Sequence, residues 1–172
     1  METENTEKIY SSLNNVWPQN NSWYSHLHKM IIRYVENNLN RILHTNSKYL
    51  NAGSGGSTYN LPGICYHIDI AANLIKDLPN AYVASIEKIP FEDNFFDSII
   101  CVGSVINYCS ALESISEFSR VLKKEEYLFL NLKEVKPLNY GLQKNMPNLQ
   151  HCNIINIWGI YTLYGCTQKS IY

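Results

Sequence analysis

The sequence predicts an α/β fold of the doubly wound type, a mostly parallel sheet flanked by helices. Two observations carry this expectation. Five short apolar runs (Tyr49 to Ala52, Ile64 to Ile68, Ala81 to Ala84, Ser98 to Val102 and Tyr127 to Leu132) show little polar alternation, as expected of strands covered on both faces. Between them lie turn and helix signals, and strands that alternate with helices build parallel sheets.

Taken in order, the first twenty or so residues are polar, include Trp17-Pro18, and read as an arm. From Ser22, a candidate N-cap, Trp23, Leu27, Met30, Ile31, Tyr34, Val35, Leu39, Ile42 and Leu43 recur at the spacing of one helix face. This helix reads as a lid or flank. After a break at Thr45 to Ser47 the strands begin. Between the first two, only Gly53 to Gly63 is left for a crossover, near the lower limit for a parallel connection, so a crossover pared to about one turn is expected. Ser110-Ala-Leu-Glu113 has the pattern of a capping box, and Leu112, Ile115, Phe118, Val121 and Leu122 follow on one stripe. From Glu134 onward Asn, Gln, Lys and Pro dominate as far as Asn153, and only "IINIWGIYTLYGC" has strand composition, so one or two strands or a short helix are expected there. The division is an arm and lid helix over 1–46, a ligand-binding core over 47–133 and a divergent segment over 134–172, within a single globular domain. The sheet is expected to be incomplete at its C-terminal edge, which would favour a homo-oligomer.

Composition excludes several classes. The 172 residues are 45% apolar, enough for one domain that buries roughly 70% of its unfolded surface. With 14 basic and 15 acidic side chains the formal charge is -1, and nothing favours nucleic acid as a partner. No apolar stretch approaches the ~20 residues of a membrane span, and METENTEKIY is polar where a signal peptide would be apolar. A cytoplasmic protein is the expectation. Five cysteines without a C-x-x-C fit reduced thiols. His26 and His28 are two apart on a helix and face different ways, and Cys65 and His67 lie on a buried strand, so no metal site is expected.

The chemistry-bearing stretch is "KYLNAGSGGSTYNLPGICYHIDI". Glycines after a buried strand let backbone approach a ligand closely, and an acid ending the next strand, here Asp69, can accept hydrogen bonds from ribose hydroxyls. Thr58 stands where the nicotinamide fingerprint needs its third glycine, which weakens that reading. Asp69 could also cap a helix beginning near Ala71.

Four motifs then occur in order. "YLNAGSGG" looks like the first motif of class I S-adenosylmethionine-dependent methyltransferases, and "HIDI" resembles their second. "VASIEKIPFEDNFFDSIICVGSVINY", with Ile89-Pro90-Phe91 and Phe96-Asp97, resembles the third and fourth. "ISEFSRVLKKEEYLFLNL" is similar to the element that leads into the fifth strand, matched by Glu117, Arg120, Val121, Leu122 and Lys123. The resemblance covers about residues 48 to 132 and implies a Rossmann-like sheet and S-adenosyl-L-methionine as cofactor. Carried over residue by residue, it implies that Asn51, Gly53, Ser54 and Gly55 lie under the methionine part. Asp69 would hold the ribose, Ile70, Ser85 and Ile86 would meet the adenine, and Val102 and Gly103 would sit near the sulfonium. It implies a methyl transfer to a small-molecule acceptor, with Tyr108, Asn107 and His26 or His28 lining the acceptor pocket. The departures are Asn51 in place of an acid, Ser57 at a glycine position and Glu126 at another. They keep a second reading open, a degenerate relative that binds a partner without catalysis. No Asn-Pro-Pro-Tyr motif is present. Asp97 is read as the anchor of a turn or strand end, and Arg120 as a cap on carbonyls near its helix end. Trp17, Trp23 and Tyr24 have two readings, a roof over the cofactor and an aromatic staple on the first helix, of which the staple is preferred.

Overall fold

The computed structural model describes residues 2–18, 20–131, 152–157 and 160–165. In chain order the elements are α1 (Glu2–Ser11), α2 (Ser22–Leu39), β1 (Lys48–Ala52), β2 (Ile64–Asp69), α3 (Ala72–Ile75), β3 (Ala81–Val83), β4 (Phe96–Cys101), a 3-10 turn (Val105–Tyr108), α4 (Ala111–Val121), β5 (Leu122–Asn131), β6 (Cys152–Ile157) and β7 (Ile160–Gly165). The strands form one open sheet in the order β3-β2-β1-β4-β5-β7-β6. β1 to β5 run parallel, β7 is antiparallel to β5, and β6 pairs antiparallel with β7. The C-terminal segment thus supplies two strands beyond β5. Residues 132–151, which the sequence reading assigned mostly to polar connection, lie outside the described residues.

Pleating sends alternate side chains to opposite faces, and the two cores follow that rule. Leu50, Ala52, Ile99 and Cys101 pack with Ile115, Phe118 and Val121 of α4 on one face. Tyr49 and Ile100 pack with Ile31, Val35 and Leu39 of α2 on the other. These three α2 residues recur every four positions, and each is at most 4% exposed. The N-terminal half of the helix behaves differently, since Trp23 is 65% and Met30 46% exposed. It overhangs the end of the sheet instead of packing on it.

Several local expectations are corrected. The cap of α2 is Asn21 rather than Ser22, its side chain accepting from the N–H groups of Trp23 and Tyr24. Part of the N-terminal arm is helical, although Ile9 and Tyr10 are its only large apolar residues and make no stripe. The capping box at Ser110 does not close, because the Ser110 side chain makes no cap bond. Its own N–H instead donates to the carboxylate of Glu87, at 2.6 Å. The β1–β2 connection is a true crossover, since its strands are parallel, but residues 53–63 contain no helix at all.

Two charged clusters fasten the end of the sheet away from the strands' C-termini and the loop beside it. Asp97 accepts from the Lys48 N–H at 2.7 Å and from the Lys123 ammonium, joining the starts of β1 and β5 at β4. Arg120 does cap carbonyls, but those of Phe91 (2.7 Å) and Ile89 (2.9 Å) in the preceding loop and not those of its own helix. Glu117 completes the clamp by accepting from the Ile89 N–H and from Arg120. Ile89-Pro90-Phe91 and the α4 pair are thus one unit, and Phe91 enters an edge-to-face cluster with Tyr66 and Phe96.

The Arg120 guanidinium and the Ile89 N–H hold the Glu117 carboxyl below its usual value of 4.5, against a smaller upward push from burial. A carboxyl depressed in the folded state stabilises it fully above its unfolded value and loses that contribution as pH falls through the folded one. Glu117→Gln is therefore expected to cost about 1–3 kcal/mol at pH 7 in urea unfolding, with the gap to the wild type narrowing below about pH 4.5.

Candidate functional site

A cavity of about 1340 Å3 opens at the C-terminal ends of β1, β2, β3 and β4. This is the end at which open α/β sheets bind ligands, because successive loops diverge there. Asn51, Gly53, Ser54 and Gly55 from β1 and its turn, Asp69 and Ile70 from β2, Ser85 and Ile86 after β3, and Val102 and Gly103 after β4 all line it. Of the residues nominated for the acceptor side, His26, His28 and Tyr108 are on its wall, whereas Asn107 is an exposed residue of the 3-10 turn and is not.

The turn after β1 needs its glycines. Gly53 has φ +66°, and a Cβ there would stand 2.4 Å from a Val105 methyl carbon. Glycine alone meets both demands without strain. The N–H groups of Gly53 and Ser54 both donate to the Ile68 carbonyl at 3.0 Å, which folds the turn back across β2.

Asp69 fixes the far side of the turn. The residue is 7% exposed, and its carboxylate accepts from the Gly55 N–H at 2.7 Å and the Ala71 N–H at 2.9 Å. Burial raises its pKa, and these N–H groups pull it back part of the way. Each carboxylate oxygen has a second lone pair, so the group can still receive ribose hydroxyls from the cavity side. Asp69 does not cap α3, whose N-cap is Ala71 without a side-chain bond; its bond to the Ala71 N–H fixes the loop before that helix instead.

Asn51 holds the turn from below, and here the departure from an acid has a structural reason. The side chain is 2% exposed, and its amide nitrogen donates to the Ser57 carbonyl at 2.8 Å. The same nitrogen lies 3.3 Å from Ser54 Oγ and 3.4 Å from His67 Nδ1. An amide nitrogen only donates, so Nδ1 of His67 can take one of its protons when the imidazole is neutral with its own proton on Nε2. Burial, which pushes the pKa of His67 down, agrees. A carboxylate at position 51 would face the Ser57 carbonyl with no proton to offer.

The N-terminal segment roofs the cavity. Trp17 stacks on His28, ring centres 4.6 Å apart and 5° from parallel. A Cβ added at Gly103 would come within 3.3 Å of the Trp17 indole, and one at Gly55 within 3.1 Å of Val16. Trp17 is therefore part of the roof and not a staple on α2. A hydrophobic staple needs an apolar residue just before the cap, and Asn20 occupies that place. Tyr10 packs edge-to-face on Tyr108 at 6.0 Å. Burial, aided by Tyr108 and by the charge of Asp69, pushes its phenol up to about 12. Asn73 donates to the Leu13 carbonyl at 2.8 Å and ties the segment to α3. The sequence reading missed Tyr10, Val16 and Val105, since no spacing distinguishes them from surface or core residues.

On the α2 side, His28 Nε2 is 3.1 Å from Ser57 Oγ, and burial lowers its pKa below the usual 6.5. Ser85 is less available than the sequence suggested, because its hydroxyl donates to Glu87 and accepts from the Glu87 N–H, both at 3.1 Å. Among the described residues no three His, Cys, Asp or Glu converge as a metal site, and no helix is long and apolar enough to cross a membrane.

Residues 50–130 match a family described as a methyltransferase domain. An uncharacterized protein of Methanocaldococcus jannaschii is 32% identical over 87 residues, which is 47% of this chain and 38% of that protein, so the chain spans well under half of its relative's length. Among solved structures, a proposed S-adenosyl-L-methionine-dependent methyltransferase of Methanococcus maripaludis superposes with a TM-score of 0.59 at 17% identity, over 98% of this chain and 94% of that one. A SAM-dependent methyltransferase of Aquifex aeolicus gives 0.50 at 18% identity, over 80% and 87%. At such identities the likeness establishes the fold.

Two substitutions test the turn. Asn51→Asp is expected to lower stability by about 1–3 kcal/mol through loss of the bond to the Ser57 carbonyl, and an unchanged or raised melting temperature would refute that account. Gly53→Ala should cost about 2–4 kcal/mol from the left-handed backbone and the clash together. Adding Val105→Ala should restore only the steric share, which a double-mutant cycle measures.

Proposed function

We propose that residues 50–130, which match a methyltransferase domain, work as a class I S-adenosylmethionine-dependent methyltransferase, and that the chain transfers a methyl group from S-adenosyl-L-methionine to a small-molecule acceptor. The observation that carries the reading is the convergence of four strand ends on one cavity around the buried Asp69 carboxylate.

The residues present suit the cofactor. The Asp69 carboxylate would accept the ribose hydroxyls, and the turn from Gly53 to Gly55 would let the methionine part approach backbone. Ile70 and Ile86 would enclose the adenine, whose polar edge would fall to backbone groups near Ser85, since that hydroxyl is committed to Glu87. Val102 and Gly103 would border the sulfonium. Bound there, the cofactor supplies a methyl group already activated by the positive sulfur, so the protein's task is chiefly to hold an acceptor in line and exclude water. Trp17 serves the second purpose by lying over Gly103. Where the acceptor carries a proton that must leave, His28 is the candidate base, because burial keeps its imidazole neutral near pH 7. Tyr108 is a candidate for orienting the acceptor, from the cavity wall beside Tyr10.

Isothermal titration with S-adenosylmethionine and S-adenosylhomocysteine tests the reading. Micromolar binding is expected, weakened at least about tenfold in Asp69→Ala, a loss of about 1.4 kcal/mol or more. A melting curve on each variant separates lost binding from lost folding. Absence of heat and of thermal shift at millimolar ligand would overturn the assignment.

A further inference from the structure

The two walls of the cavity differ in chemistry. The strand-end wall is backbone, small residues and one carboxylate. The opposite wall is mainly aromatic and apolar, built by Trp17 and by the part of α2 that carries Trp23, Tyr24, Leu27 and Met30, with His26, His28 and Asn37 among them. Trp23, Tyr24 and Met30 are 65%, 47% and 46% exposed, so this helix leaves its apolar surface uncovered where it borders the cavity. Exposed apolar area gathered in one concave place marks a ligand surface more often than chance. The volume points the same way. At about 1340 Å3 the space exceeds the roughly 300–1,000 Å3 of a single small-ligand pocket, so a cofactor on the strand ends leaves room for a second molecule.

Charge narrows that molecule's class. Among the described lining residues, Asp69 is the single carboxylate and lies in the cofactor half, while Arg33 is the single lysine or arginine. A protonated amine placed against α2 would leave water, meet no carboxylate among the described lining residues of that wall and share it with the Arg33 charge, which is costly. A carboxylate or phenolate would meet Arg33, and a neutral ring would lie on Trp17, Trp23, Leu27 and Met30 without leaving a charge unpaired.

We propose that the wall formed by Trp17 and the Trp23 to Arg33 face of α2 is the acceptor compartment, and that it takes a flat, apolar acceptor that is neutral or anionic, with any anionic group toward Arg33. The proposal rests on the reading of the opposite wall as the cofactor site. It assigns Trp23 and Met30 to substrate contact and Arg33 to selectivity, roles that the periodicity of α2 would give to core packing or to solvent.

Three probes of matched shape test it: 2-naphthol, 2-naphthoate and 2-naphthylmethylammonium, titrated calorimetrically into the free protein and into protein saturated with S-adenosylhomocysteine. The naphthol and naphthoate are expected to bind the saturated protein at least about tenfold more tightly than the ammonium, and Trp23→Ala to weaken both. Arg33→Gln should weaken naphthoate about threefold to tenfold and leave naphthol unchanged. Ammonium binding as tightly as the other two would overturn the proposal, as would the failure of all three on protein that binds S-adenosylhomocysteine. If the probes bind in the expected order to protein that does not take S-adenosylhomocysteine, the compartment stands and the cofactor reading falls.

Discussion

The chain returns from β1 to β2, parallel and in register, through residues 53–63 without a helix. A crossover this short has no element of its own with which to cover the sheet or to stiffen its path. Both tasks pass to other residues. The path is set by left-handed glycines and by three polar anchors, the Ile68 carbonyl, the Asp69 carboxylate and the Asn51 amide. Cover comes from α2, whose Ile31, Val35 and Leu39 pack over β1 and β4, with Tyr59 and Leu61 of the crossover itself tucked against them. The missing helix thus explains why a helix from before the sheet lies where it does, and why its first half is left overhanging the strand ends.

The two ends of the sheet are consequently built for different purposes. At the strands' N-terminal ends, opposite charges meet: Lys48 and Lys123 at Asp97, with Arg120 and Glu117 around the Ile89 to Phe91 loop nearby. These contacts satisfy one another and leave little to offer a ligand. At the C-terminal ends the polar groups are mostly neutral and the backbone is close to open space, so the Asp69 charge stands nearly alone among them. Field and access coincide there, which is the physical basis of the cofactor site proposed above.

How much of this was legible in the sequence follows from what each residue's signal depends on. Strands β1, β2 and β4 announce themselves because double-sided burial leaves a run of apolar residues. All ten nominated cofactor residues reach the cavity wall, since strand ends and the turns after them are fixed once the strands are known. The helix at Glu2–Ser11 was not legible, because it is amphipathic in no regular sense and docks through single residues such as Tyr10. The meaning of Asn51 was also hidden. Its partner is the carbonyl of Ser57, and backbone partners carry no sequence signature. Asn107 was mistaken for a wall residue because a 3-10 turn sends adjacent side chains in different directions. At Ser110 the half of the capping box that Glu113 would supply is taken by Glu87, distant in sequence, which accepts from the same backbone N–H.

The roof over the cavity also says something about the order of assembly. Tyr10 meets Tyr108, and Trp17 meets Gly103, contacts that close loops of some ninety residues. Contacts that distant in sequence form late, because chain entropy is lost before they repay it. During synthesis residues 10–17 emerge well before β4 exists to receive them, although Trp17 has a partner close in sequence in His28. The roof of the cavity therefore depends on residues from both ends of the β1 to β4 unit, and it closes only once those residues have been brought together.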